Sequence, residues 1–358
     1  MSSQKIPSKH TAAVVKNPGE NCKMVIEEID TPKPGPGQVL VKVTHSGVCH
    51  TDAHLMRGDW SAAGADMLCQ VGGHEGVGSI VSLGPDVQNC AVGDKVGMAW
   101  IRQTCAVCTM CMGNGTETRC PNQSNHGRDA DGSFQQYAIV PTNYLIKVPE
   151  GIDDVDVGPV LCGGVTVYKA LKVSEAKPGQ TVAIIGAGGG LGHLGVQYAR
   201  AMGLRVIGID GGEDKEKLAK KLGAEAFVDF TKTKDVVGAV KEITGGKMCH
   251  AVVVVAASAS GYATAPLLCG KNGTMVAVGL PGGHVEIKIT PMTLFANGTR
   301  IVGSNVGTRG DMEEALDFAA RGLVKPTVAV HKLSELEETL DDLIKGKISG
   351  RAVIDLWA

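Results

Sequence analysis

The chain has 358 residues, of which 43% are hydrophobic and 20% charged, with a formal net charge of −2. That length exceeds what one hydrophobic core usually serves, so two domains are expected, and the near-neutral charge gives no electrostatic reason for a nucleic-acid partner. No stretch approaches the roughly 20 apolar residues of a membrane span, and residues 1–10 offer neither the apolar core of a signal peptide nor an Arg-rich transit pattern, so a cytosolic enzyme is expected.

Up to about residue 160 the chain reads as strands and turns. Residues 39–44 and 78–83 are short β-rich runs broken by Gly and Pro. Pro-Lys-Pro-Gly-Pro-Gly over 32–37 is a turn cluster, because a strand resumes directly after it. Within this half, Cys105, Cys108, Cys111 and Cys120 form a C-x2-C-x2-C-x8-C run. Four thiolates on one short loop can close a tetrahedron around zinc with no position left open, which reads as a structural site. Disulfides or free thiols are the alternative, but the tight spacing favours a metal, and eleven cysteines, an odd number, do not read as a disulfide framework.

From about residue 177 strands alternate with helices. Apolar strands are expected over 181–185, 205–209, 226–229, 251–256 and 274–278, with helices over 191–202, 213–222, 235–243 and 261–268. Near-continuous apolar strands alternating with helices mean a parallel sheet covered on both faces. Helices over 312–320 and 336–344 and a strand over 352–355 follow. No internal repeat is visible.

The strand at 181–185 runs straight into Gly186-Ala-Gly188-Gly189-Gly190-Leu191-Gly192 and then a helix. Glycines between a strand and a helix permit a tight turn and close approach of a pyrophosphate, while the helix N-terminus supplies N–H groups and positive dipole. The literal G-x-G-x-x-G register at Gly190, Gly192 and Gly195 falls inside the helix, so the turn at Gly186 to Gly190 is favoured. Asp210 ends the next strand, where a carboxylate accepts from ribose hydroxyls and repels a 2′-phosphate, favouring NAD over NADP. Lys215 either pairs with the ribose side or is a solvated helix charge.

Three first-half segments carry metal-type residues, around Cys49 to His54, around His74-Glu75, and at Cys162. A catalytic zinc takes three protein ligands and keeps one position open. Cys49, His74 and Cys162 supply a Cys2His set, yet spacing alone does not select them, and each singly is more often a buried Cys or a structural His.

Six motifs carry a resemblance over nearly the whole length: Ser46-Gly-Val-Cys-His-Thr-Asp52, Val71-Gly-Gly-His-Glu-Gly76, Asp131-Gly-Ser-Phe-Gln-Gln-Tyr137, Thr166-Val-Tyr-Lys-Ala-Leu171, Ile209-Asp-Gly-Gly-Glu213 and Ala315-Leu-Asp-Phe318. In these the chain resembles the zinc-dependent medium-chain alcohol dehydrogenases, close to the yeast type. The resemblance implies a GroES-like β-rich catalytic domain over 1–160 with both zinc sites, a Rossmann NAD-binding domain over 161–304, and a return to the catalytic domain over 305–358. It implies catalytic zinc on Cys49, His74 and Cys162 with Glu75 as an occasional ligand, and structural zinc on the four-cysteine run. Asp52 would orient His74, and Thr51 and His54 would relay a proton through the nicotinamide ribose. His50 and Arg351 would meet the pyrophosphate, with Gly189, Gly190, Leu191, Phe230, Val278, Leu280, Ser304 and Val306 at other cofactor positions. Trp60, Trp100 and Leu280 would wall a slot for short primary alcohols, ethanol first.

The implied reaction interconverts alcohol and aldehyde through a zinc-bound alkoxide and hydride transfer to NAD, in a cytoplasmic homotetramer. Rival readings are a polyol, formaldehyde or secondary-alcohol dehydrogenase, a zinc-free quinone or enoyl reductase, and a non-catalytic NAD-binding redox sensor. The sequence departs from the family pattern twice. The last structural-zinc spacing is x8 rather than x7, and Leu68-Cys69-Gln70-Val71 lacks the usual proline.

Overall fold

The computed structural model describes residues 5–113, 115–282 and 284–358; residues 1–4 of the stretch weighed as a leader lie outside the described residues. The chain divides into two compact units, Met1–Cys162 with Thr308–Ala320 and Val328–Ala358, and Gly163–Gly307 with Arg321–Thr327. The return expected over 305–358 is therefore interrupted, and side chains explain why. Gln197 brackets Lys325, accepting from its backbone N at 2.9 Å and donating to its carbonyl at 3.0 Å, and Thr327 N donates to His193 Nε2 at 3.1 Å. Among the described residues no helix is long and apolar enough to cross a membrane.

The first unit is built on a seven-stranded sheet whose centre is the long strand Gln38–Val48. Gly76–Leu83 pairs antiparallel along one of its edges. The other edge is shared end to end: Tyr137–Pro141 pairs with residues 38–42 and Arg351–Asp355 with residues 45–48. Val328–Lys332, a strand the sequence reading missed, runs parallel to Arg351–Asp355 at the sheet's border. Its half-exposed residues show no apolar alternation, as befits an edge. Val39, Val41, Val43, Val96, Val140, Ala352 and Ile354 fill the core, and the helices His50–Arg57 and Leu336–Ile344 pack upon it through Leu55, Met56, Leu336 and Leu340.

The second unit is a six-stranded, all-parallel sheet in the order Ala226–Asp229, Arg205–Asp210, Thr181–Ile185, Cys249–Val254, Cys269–Ala277, Arg300–Gly303. Counted within the unit this is 3-2-1-4-5-6, the doubly wound dinucleotide-binding order. Val182, Ala183, Ile184, Val252, Val253 and Val254 are wholly or nearly wholly buried, as strands covered on both faces require. The helix Glu213–Leu222 matches the expected bounds, and Asp235 caps Val236–Ile243 by accepting from Gly238 N.

Candidate active site and metal centres

The first metal-type cluster is assembled by one short helix, one glycine-bent loop and one irregular turn. Cys49 is the N-cap of His50–Arg57. Asp52, in that helix's first turn, accepts from Cys49 N through Oδ2 at 3.0 Å, closing the turn. Its Oδ1 accepts from His74 Nδ1 at 2.8 Å. With Nδ1–H so engaged, the Nε2 lone pair of His74 is left for a metal. The loop that delivers His74 bends at Gly73, φ +94°, where a Cβ would stand 2.6 Å from Ser133 Oγ. Cys162 comes from a π-helical turn, Val160–Gly164, that directly follows Asp154–Pro159. Pro159 has no N–H for regular helical bonding, and such wide turns are frequent at functional sites.

The sulfurs of Cys49 and Cys162 lie 4.0 Å apart, and His74 Nε2 is 3.4 Å from Cys162 Sγ. Together with a carboxylate oxygen of Glu75, all four ligand atoms fall within 4.8 Å of one another, and all four residues are buried. A zinc ion with Zn–S bonds of about 2.3 Å sets its tetrahedral ligands about 3.8 Å apart, so the spacing fits the ion. The charge also fits. The hydrogen bond to Cys162, opposed by burial and aided by His74 and Arg351, holds the Cys49 thiol well below its usual range. Burial disfavours His74⁺, but Asp52 and Cys49 override it and raise that imidazole's pKa well above 6.5, so the pocket draws positive charge, which a metal on Nε2 supplies in place of the proton. Arg351, 3% exposed, clamps one oxygen of Glu75. The other oxygen, Oε2, is buried with no partner among the described residues, and a cation would satisfy it.

The second cluster is the four-cysteine run. Its sulfurs lie 3.9 Å apart between Cys105 and Cys111, 3.5 Å between Cys108 and Cys111, 3.9 Å between Cys108 and Cys120, and 3.6 Å between Cys120 and Cys105. These are again tetrahedral edges, with no fifth group in the set. Backbone N–H groups of Val107 and Cys108 bring the Cys105 thiol down to about 6, so it is substantially thiolate at neutral pH. Within the x8 spacing Thr116 Oγ1 donates to Met110 O at 2.7 Å. The lobe is tied down by Glu117, which takes Arg309 Nη2 at 3.0 Å and the Tyr144 hydroxyl at 3.1 Å. All eleven cysteines are free of disulfides. In the loop lacking the family's proline, Asp131 Oδ1 accepts from both Gln70 N and Val71 N, and burial pushes the Cys69 thiol up to about 12, which makes it a poor nucleophile.

In the second unit the expected cofactor residues gather at the carboxyl ends of the parallel strands, where this fold binds its ligands. Gly186, φ +94°, ends its strand, and a Cβ there would meet Ala256 N at 3.0 Å. Gly188, Gly189, Gly190 and Leu191 complete the turn before the helix Gly192–Ala201. Asp210 accepts from Gly188 N at 3.0 Å and Gly211 N at 2.8 Å, and Lys215 Nζ pairs with it at 3.0 Å. Lys215 is thus paired with the Asp210 carboxylate rather than solvated alone. Phe230 and Leu280 are exposed, Val278 and Ser304 half-buried, each just past a strand end. Val306 has φ +37°, an outlier for a β-branched residue. Replacing Asp210 by Gly is expected to raise the NADP:NAD ratio of kcat/KM more than about tenfold, by removing the charge that repels a 2′-phosphate. An unchanged ratio would remove Asp210 from that role.

The two units match two family models, the alcohol dehydrogenase GroES-like domain over residues 35–150 and the zinc-binding dehydrogenase over residues 190–321. Alcohol dehydrogenase 1 of Neurospora crassa is 46% identical over 351 residues, 98% of each chain. The alcohol dehydrogenase of Geobacillus stearothermophilus is 46% identical across 92% of this chain and 95% of that one. The crystal structure of the alcohol dehydrogenase of the archaeon Aeropyrum pernix superposes with a TM-score of 0.86 at 32% identity, covering 97% of this chain and all of that one. The chain belongs to the zinc-dependent medium-chain alcohol dehydrogenase superfamily. It is accordingly an enzyme of NAD- and zinc-dependent alcohol–aldehyde oxidoreduction, with two clusters suited to catalytic and structural zinc.

The remaining expected residues of this dehydrogenase lie around the helix His50–Arg57. His50, Thr51 and His54 share one face of it, three and four residues apart, while Asp52 faces inward. Trp100 meets His74 edge-on at 5.3 Å between ring centroids, and Trp60 lies over His54 at 4.8 Å. One neighbour escaped the sequence reading. Asp59 Oδ2 lies 2.7 Å from His54 Nδ1, five residues further on, a spacing outside the helical i+3 and i+4 pattern.

Proposed function

We propose that the enzyme, of the yeast type, interconverts short primary alcohols and aldehydes, ethanol first, with the alcohol proton leaving through Thr51 and His54. What supports the short-substrate reading is Trp100, whose ring stands edge-on against His74 at the metal ligands. Trp60 on His54 and exposed Leu280 are the other proposed walls of the slot. Cys49, His74 and Cys162 hold the catalytic ion in this reading, with Glu75 alongside, and Cys105, Cys108, Cys111 and Cys120 hold the structural one. When bound, zinc supplies a Lewis acid for the substrate oxygen and NAD supplies the hydride acceptor.

The chain's own residues do the rest. Asp52 fixes the ring of His74, and Asp210 selects the ribose. Arg351 Nε is a buried donor without a partner among the described residues, which suits a pyrophosphate oxygen. Thr51 and His54, one helical turn apart, share the helix face that would pass the proton outward. The yeast-type motifs support a homotetramer in the cytoplasm.

The test is the initial rate of NADH formation from NAD and ethanol, with a panel of longer, branched and polyhydric alcohols, before and after zinc removal by a strong chelator. The expected result is chelator-sensitive turnover that is fastest with ethanol. A zinc-loaded, folded enzyme that ignores ethanol and turns over polyols or secondary alcohols would overturn the substrate assignment.

A further inference from the structure

We propose that Asp59 is a positioning residue of the proton relay, holding His54 in the tautomer that accepts a proton and stabilising the imidazolium that results. This rests on the relay through Thr51 and His54 proposed above.

The local backbone is built for the contact. The helix His50–Arg57 stops at Gly58, φ +70°, a left-handed cap that an L side chain would strain. The chain then folds back, and Asp59 N donates to His54 O at 3.0 Å. Asp59 Oδ2 thereby comes to 2.7 Å from His54 Nδ1, and the next residue, Trp60, covers the imidazole face at 4.8 Å. Two consecutive residues after the cap thus grip one ring, by its edge and by its face.

The chemistry follows from the donor. A carboxylate accepts only, so the hydrogen of the His54 ring sits on Nδ1 and Nε2 carries the lone pair. The alcohol's hydroxyl proton ends on Nε2 while its hydride goes to NAD. The ring then holds two protons and one positive charge beside the Asp59 carboxylate. This is the division of labour between imidazole and carboxylate in hydrolytic triads.

Other titratable groups lie around Asp59. Asp59 lines a cavity of about 450 Å³ behind the helix, into which Glu20, Lys23 and Arg57 also project. Opposite them the helix Leu336–Ile344 contributes Glu337 and Asp341, with Arg57 Nη2 paired to Asp341 at 2.5 Å. The half-buried thiol of Cys22 completes the titratable lining, its pKa raised by burial, and His50 lies 6.4 Å from His54 between ring centroids. The His54 side chain is itself 28% exposed, so solvent takes the proton from the ring directly.

The experiment compares the zinc-loaded holoenzyme with Asp59→Asn, His54→Gln and the double variant. It follows NAD reduction by ethanol, or by the best alcohol of the panel, from about pH 6 to 10, together with the KM for NAD. Asp59→Asn is expected to lower kcat about tenfold near neutrality, with convergence toward wild type in alkali, where hydroxide takes the proton directly. The KM for NAD stays within about twofold, and the double variant is no slower than His54→Gln, because both act on one step. If His54→Gln slows the reaction but Asp59→Asn does not, the role of Asp59 is overturned and the relay stands. If Asp59→Asn costs the same with or without His54, the residue is merely structural. If His54→Gln leaves the pH profile unmoved, the relay itself fails.

Discussion

Cys162→Ser is expected to bind one zinc per chain instead of two and to lose alcohol oxidation by more than about a thousandfold, the several kcal/mol of barrier that a Lewis acid supplies. The expectation rests on the way the cluster is charged. Cys162 faces Cys49 at 4.0 Å and His74 Nε2 at 3.4 Å, and all three are buried. A serine hydroxyl in place of the thiolate removes one of three strong ligands and leaves Cys49 and Glu75 as buried anions facing a weaker donor. The structural cluster shares none of these side chains, so its ion should remain. Metal analysis of the purified variant beside its rate checks both halves. Two zincs per chain with near-normal turnover would remove Cys162 from the ligand set.

Cys120→Ser should separate the other way. One zinc is again expected, but kcat at low temperature should stay within a few-fold of wild type while the thermal midpoint falls by about 10 °C or more. Cys120 is 1% exposed, its sulfur stands 3.6 Å from Cys105 and 3.9 Å from Cys108, and among the described residues the cluster has no fifth ligand-type side chain. Without the ion, three remaining thiols on one loop lose the charge that holds them together, one of them already near pKa 6. The ion pair of Glu117 with Arg309 and the Tyr144 hydroxyl still anchor the lobe's far end, which is why loss of stability rather than of fold is expected. A calorimetric or fluorescence melt reads it directly. An unchanged midpoint would make the cluster dispensable to stability.

The second unit was the more legible half. A parallel strand buried on both faces is an apolar run, and Thr181–Ile185 and Ala226–Asp229 appear in the structure with the bounds expected of them. Its last strand, Arg300–Gly303, was missed because four residues beginning with arginine and ending with glycine give no such run. The four-cysteine cluster was legible for a different reason, since its ligands lie within sixteen consecutive positions. The catalytic set was not. Cys49 and Cys162 are 113 residues apart, and nothing local in either segment names the other, so only resemblance to a family could join them. Pro159 and the pair Gly163-Gly164 were the available hint that the helix around Cys162 is irregular. Asp59 was unreadable because its contact depends on a left-handed cap at Gly58.

The pairing of Arg351 with Glu75 spans 276 residues, and the strand that carries Arg351 is antiparallel to the one that leads into Cys49. During synthesis the chain therefore meets its own metal ligands long before it meets the guanidinium that neutralises them. The segment 163–307, contiguous in sequence, emerges whole in between and can close its own sheet first. The ligand-bearing half must wait, its central strand unpaired over residues 45–48 of one edge, until the ribosome has translated the other domain. In a growing cell, exposure to wrong metals and wrong strand partners is thus concentrated in the interval between two stretches of one sheet.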